Sequence, residues 1–340
     1  MSVEARVERA AEAIRSGGMA IMIDDEEREN EGDLIYAGTF STPEMVNFMI
    51  KEARGLVCIS LNQADATRLE LSPMVTDNQS GHGTAFTVTV DAKSAVTGIS
   101  AFERNDAIRI IADPLSKPSD LVRPGHIFPL IAKEGGVLAR TGHTEGSLDL
   151  CRIAGVSQCA VICEVVRPDG AMARRDYLDE FAKRHNMPLI FVADLVEYRL
   201  KRERLVQKSR AEICRLFDTE VEISYWTDHQ SRVHRAVKFG SFGDSCAAKF
   251  HRIGIDADLI LCDNQLGGIL RAIEYLKKAG GILLFIDGGG GDPKKEFGIG
   301  AQIISSFGVK KLTLLATKEI DAPVALGGFG IELMETELFV

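Results

Sequence analysis

At 340 residues the chain has room for two domains of ordinary size, and its charged (26%) and apolar (45%) fractions are those of a soluble globular protein. A net charge of −9 argues against a nucleic-acid partner, which would need a basic face. No stretch approaches the roughly 20 apolar residues that cross a bilayer, so no membrane partner is expected. The N-terminal MSVEARVERAAEAIRSGG reads as an amphipathic helix of mixed charge, not a signal peptide. The seven cysteines are odd in number and none forms a CxxC pair, which suits the reduced thiols of a cytoplasmic protein.

Val3 to Ser16 carries apolar residues at helical spacing and stops at Gly17-Gly18, which predicts a helix. Met19 to Ile23 has the length and apolarity of a buried strand. Thr42-Pro43 reads as an N-cap followed by Pro at the first helical position, opening a helix to about Ala53. Leu56 to Ser60 and Thr87 to Val90 read as strands, and Asp106 as the cap of a helix through Ala112. A strand near Val137 to Ala139, a helix after His143 and a strand at Ala160 to Val165 follow. A helix over Asp176 to His185 then precedes a strand at Leu189 to Val192.

Strands and helices mix without strict βαβ alternation. The expected class is therefore α/β, built as an α+β layered sandwich and not as a doubly wound sheet. From Tyr198 to Arg210 the composition turns basic and loses its apolar runs, which divides the chain into a domain at 1–200, a linker at 201–208 and a smaller α/β domain at 209–340. In the second domain, Leu259 to Leu261, Gly281 to Ile286 and Leu312 to Leu315 read as buried strands. Gly268 to Ala279 and Ala301 to Phe307 read as its helices, and no internal repeat is visible.

The densest chemistry lies directly after the first strand. Asp24 to Asp33 (DDEERENEGD) carries seven carboxylates and one basic residue, Arg28. Charges this close repel, so the segment needs either full hydration or a compensating cation. Hard divalent cations take oxygen ligands of this kind, completed by water and substrate oxygens. Two further clusters, Arg123-Pro-Gly-His126 and Arg140-Thr-Gly-His143-Thr-Glu145, put histidines in glycine-flanked loops beside arginines. The second opens a helix, where free backbone N–H groups form an anion site, and His143 at its mouth could complete a metal site with an acidic-segment carboxylate. Ser80 to Phe86 reads equally as a substrate-covering loop or a hairpin turn. Glu164, inside the apolar run Ala160 to Val166, lies either on a strand's solvent face or buried with a raised pKa suited to proton transfer.

Taken together, the acidic segment, Arg123-Pro-Gly-His-Ile-Phe-Pro129, Arg140 to Thr144, Ser80 to Val88, Lys117-Pro-Ser-Asp120 and Asp169 to Arg174 resemble the 3,4-dihydroxy-2-butanone 4-phosphate synthases. The likeness runs in order over residues 4 to 200. It implies conversion of ribulose 5-phosphate to dihydroxybutanone phosphate and formate, a step toward riboflavin. It further implies Glu29 and His143 as ligands of Mg2+ or Mn2+, two ions per site. Arg28, Glu29, Asp33, Thr84, Arg140, Thr141, Gly142, His143 and Thr144 would bind the sugar phosphate, with His126 and Glu164 in proton transfer. A homodimer with shared active sites is implied as well.

Residues 209–340 resemble GTP cyclohydrolase II weakly, most clearly at Cys262 to Ile273. The family's Cys-x-Cys zinc pair reads here Cys262 and Asn264, and no cysteine occurs between Phe250 and Asp258. One thiolate and an amide make a poor zinc site, so no zinc is expected. The catalytic arginine segment reads Asp287-Gly-Gly-Gly-Gly-Asp292, which also lacks the Lys-Ser/Thr of a P-loop. The expectation is a domain without cyclohydrolase activity. The alternatives are a bifunctional enzyme or a non-catalytic scaffold for riboflavin enzymes.

Overall fold

The computed structural model describes residues 1–254, 265–288, 293–317, 326 and 329–338. The chain divides into two compact units, Met1–Tyr198 and Arg199–Val340. The stretch 201–208, expected as a linker, holds instead the end of one helix and the start of a strand.

In the first unit, the strands are β1 (Ala20–Ile23), β2 (Gly32–Ala37), β3 (Cys58–Leu61), β4 (Val90–Ala92), β5 (Leu121–Ile131), β6 (Cys159–Glu164) and β7 (Leu189–Phe191). They form one mixed sheet in the order β4-β5-β3-β6-β2-β1-β7. Its helices are α1 (Val3–Arg15), α2 (Pro43–Phe48, widening to a π turn over Met49–Ala53), α3 (Gln63–Arg68), α4 (Ala101–Ala112), α5 (His143–Ala154), α6 (Arg175–Arg184) and α7 (Val192–Arg202).

Strand side chains alternate faces, and the core splits accordingly. Ile21, Ile23, Leu34, Tyr36, Ile59 and Val161 pack with α2, α4 and α6. Ala20, Met22, Ile35, Ala37, Ala160 and Ile162 pack with α1, α5 and α7 on the other side. The result is a layered α/β sandwich, as expected from the sequence, with helices on both faces of the sheet. Gly146, one turn into α5, brings that helix close to the sheet, since a Cβ there would stand 2.5 Å from Met22 Sδ.

Several elements differ from expectation. Residues 137–139 form part of a tight 3-10 turn rather than a strand, because Gly135 and Gly136 adopt left-handed conformations that turn the chain. The helix over residues 101–112 starts at the Ser100 cap, whose hydroxyl accepts from Glu103 N–H, so Asp106 lies inside it. β4 begins at Val90, later than the expected Thr87.

In the second unit, β8 (Val206–Leu216), β9 (Thr219–Asp228), β10 (Val233–Phe239), β11 (Ser245–Arg252), β12 (Gly281–Ile286), β13 (Lys311–Ala316) and β14 (Glu332–Leu338) form a sheet in the order β14-β13-β11-β12-β10-β9-β8. Helix α8 (Gln265–Ala279) covers one face and α9 (Pro293–Ser305) the other. The second helix starts eight residues before the expected Ala301. The expected strand Leu259 to Leu261 and the Cys262/Asn264 pair lie outside the described residues.

Candidate active site

The acidic segment is the turn joining β1 to β2. Asp24 N–H donates to Glu31 O, prolonging the antiparallel pairing. Asp24 itself is buried and knits the turn: its carboxylate accepts from Arg28 Nη1 (2.6 Å), Glu29 N–H (3.2 Å) and Glu31 N–H (2.8 Å). Arg28 Nη1 also donates to Glu29 Oε2 at 2.7 Å. From the far side, Arg174 donates to the carbonyls of Glu29 and Asn30, and Asn30 is left-handed (φ 53°). These bonds hold a crowded anionic loop in one shape.

Register brings the next carboxylates together. Asp33 pairs with Met22 on one side and Glu164 on the other, so all three point to the α5 face. His143, the first residue of α5, sits above them, with Nδ1 3.7 Å from Asp33 Oδ1 and 3.9 Å from Glu29 Oε2. Burial, with Glu164, Glu31 and Glu29 adding repulsion, pushes the Asp33 carboxyl well above the usual range. Burial also lowers His143, which favours the neutral imidazole that a metal ion binds. Glu164 is half-buried at the end of its strand and accepts from Leu56 N–H at 2.8 Å.

Donor atoms of Asp24, Glu29 and His143 lie within 4.8 Å of one another. Asp33 Oδ1 and His143 Nε2 are buried without a hydrogen-bond partner. Orphaned buried groups are costly, and an oxygen-rich set with one neutral imidazole fits a hard divalent cation. Both Asp24 oxygens already accept hydrogen bonds within the turn, whereas Asp33 Oδ1 and His143 Nε2 accept or donate none.

The start of α5 completes the site. Gly142 is its N-cap and supplies no side-chain cap, so Thr141, Gly142 and Thr144 surround free helix N–H groups. Arg140 flanks them, donating to the buried Glu145 (2.6 Å), to Thr84 Oγ1 (3.2 Å) and to His82 O. Glu145 in turn accepts from Lys133 N–H at 3.0 Å. Arg140 thereby ties the glycine-rich loop around Thr84 to the helix start.

His126 stands apart. It lies on β5, and β3 and β6 intervene before β2. Three strand spacings amount to about 14 Å. Its side chain is 42% exposed, and Nδ1 meets Asp91 Oδ2 at 2.8 Å.

Asp24, Asp91, Glu145 and Arg174 were not singled out as site residues from the sequence. Asp24 and Glu145 fall within clusters already marked. Arg174 closes the marked motif Asp169 to Arg174 but bonds to a residue 145 positions away, and Asp91 bonds to a partner 35 residues away with no local pattern to announce it.

A layered α/β fold with converging carboxylates, a neutral histidine and an arginine-flanked helix start has the make-up of an enzyme for a small anionic substrate. The family model for 3,4-dihydroxy-2-butanone 4-phosphate synthase matches residues 8–198, and the chain belongs to this family of riboflavin-biosynthesis enzymes. The synthase of Wolinella succinogenes is 49% identical over 97% of this chain and 96% of its own. Among solved structures, RibBX from A. baumannii, described as a two-domain 3,4-dihydroxy-2-butanone 4-phosphate synthase, superposes with a TM-score of 0.83 at 34% identity, covering 100% of both chains. The likeness therefore includes the fused second domain. A synthase solved in complex with two magnesium ions is 40% identical with a TM-score of 0.56, covering 58% of this chain and 97% of its own.

Proposed function

We propose that the first unit converts D-ribulose 5-phosphate to L-3,4-dihydroxy-2-butanone 4-phosphate and formate. The observation that carries this reading is the convergence of Glu29, Asp33 and His143 beneath the start of α5. The two products together contain all the atoms of the substrate, so neither an oxidant nor a reductant is needed. Glu29 and His143 would hold Mg2+ or Mn2+, two ions per site, supplying polarisation of the sugar's carbonyl and adjacent hydroxyl oxygens.

The protein's own groups divide the remaining work. Arg140 and the N–H groups at Thr141 to Thr144 bind the phosphate. Arg28, Glu29 and Asp33 orient the sugar hydroxyls, with Thr84 closing over them. Glu164, beside Asp33, takes the carbon-bound proton whose loss starts enolisation, and His126 serves the later proton transfers as the skeleton rearranges and C4 leaves as formate. The strand separation of His126 from Asp33 supports a homodimer in which part of each site comes from the other chain. The second unit, with Asn264 in place of the second cysteine of the zinc pair, serves as a structural or regulatory module without zinc or GTP cyclohydrolase activity. The enzyme works in the cytoplasm.

The test is formation of formate and dihydroxybutanone phosphate from ribulose 5-phosphate with Mg2+ and again with EDTA. Turnover that needs the metal supports the reading. A folded, Mg2+-loaded protein that produces neither product refutes it.

A further inference from the structure

We infer that Asp91 is a positioning residue that fixes the His126 ring tautomer, leaving Nε2 bare as a proton acceptor. The inference rests on the proton-transfer role proposed for His126. Asp91 is buried on β4, and its two oxygens are used separately. Oδ1 accepts from the backbone N–H of His126 at 2.8 Å, and Oδ2 lies 2.8 Å from Nδ1 of the same residue. A carboxylate only accepts, so the proton between Oδ2 and the ring belongs to Nδ1. In the neutral imidazole that leaves Nε2 unprotonated. The backbone bond sets the distance between the residues, and the side-chain bond sets the orientation of the ring.

The neighbouring loop is shaped to close over this pair. Gly98 is left-handed (φ 81°), and a Cβ there would overlap both Asp91 Oδ2 and His126 Nδ1. Glu103 fixes the loop by accepting from the N–H groups of Val96 (2.6 Å), Thr97 (3.1 Å) and Gly98 (3.1 Å) and from the Thr97 hydroxyl (3.0 Å). Gly125 approaches β4 so closely that a Cβ would overlap the Val90–Asp91 peptide, and its N–H donates to Thr89 Oγ1 at 3.0 Å. Backbone on both sides thus packs closely against the buried Asp91 while the His126 ring stays partly exposed.

The experiment is nitrogen NMR of the His126 ring in the metal-free full chain, for the native protein, Asp91→Asn and Asp91→Glu, with His126→Gln to assign the signal. Turnover of the Mg2+-loaded proteins is measured alongside. The native neutral ring is expected as the Nδ1–H form, and Asp91→Asn as predominantly Nε2–H. Asn keeps the acceptor for the His126 backbone, so kcat should fall roughly 10- to 100-fold, within the general range for proton-transfer groups, with KM within about twofold. Asp91→Glu should recover part of kcat together with the Nδ1–H signal. A native Nε2–H ring, or an Asp91→Asn variant with native kcat, overturns the inference. If His126→Gln itself keeps native kcat, the proton-transfer role fails instead, and the tautomer signals still decide what Asp91 does to the ring.

Discussion

Gly142→Ala separates substrate binding from folding at the start of α5. Gly142 has φ −109° and ψ 165°, an extended conformation that alanine adopts without strain. The added methyl, however, overlaps Arg140 Nη1 and comes within 3.0 Å of Glu145 Oε2. The guanidinium must leave Glu145, and with it the bonds to Thr84 Oγ1 and His82 O. Exchanging Gly for Ala at an N-cap costs about 1 kcal/mol, which lowers Tm by about 2–4 °C in a unit of this size. Losing one charge-assisted hydrogen bond to the phosphate costs about 1.5–3 kcal/mol, so KM for ribulose 5-phosphate should rise roughly 10- to 150-fold.

Gly155→Ala is the matched control. Gly155 ends the same helix with φ 72° and has no atom within 4 Å of an added Cβ. Alanine there carries left-handed strain of about 1–2 kcal/mol and leaves Arg140 untouched. Thermal melts and steady-state kinetics on both variants give the comparison. A Gly142→Ala enzyme whose KM stays within twofold of native would refute both the steric reasoning and the role given to Arg140.

Three other outcomes are expected. In EDTA, native stability should decline as pH rises from the ordinary carboxylate range through the raised pKa of Asp33, because over that window the folded state binds the extra proton; Asp33→Asn should flatten the decline in urea melts, and Mg2+ should diminish it. Glu29→Ala should abolish turnover and the Mg2+-induced rise in Tm, whereas Cys262→Ala should change neither, as read by formate release and thermal melts. Truncation after Arg202, where α7 ends, should leave kcat within about threefold of the full chain; loss of turnover from a folded fragment would assign the second unit a part in catalysis.

The sequence was most informative where structure is set locally. The helix at His143 begins and ends on glycines, the Thr42 cap accepts from Met45 N–H, and the acidic turn adjoins its strand directly. It was least informative where tertiary context overrides pattern. Strand β5 runs for 11 residues through Arg123-Pro-Gly-His126, a stretch too polar to read as strand, because its outer half pairs only with the short β4. The apolar trio at 137–139 had the opposite fault, since a buried turn and a short strand look alike in periodicity. Strand β8 was hidden by its exposed, basic composition, which suits the edge of a sheet.

Glu164 shows why the two readings of one residue could not be separated in advance. Alternation along β6 places it on the α5 face with Ala160 and Ile162, the buried side, yet it stands at the strand's end, where helix cover runs out. The same sheet end receives Asp33 from β2 and His143 from α5. Burial therefore falls unevenly on neighbouring carboxylates: Asp33 is sealed and pushed up, while Glu164 keeps contact with water and with Leu56 N–H. Two acids a strand apart thus differ in solvation. That difference follows from their places in the sheet: Asp33 lies within β2, and Glu164 is the last residue of β6.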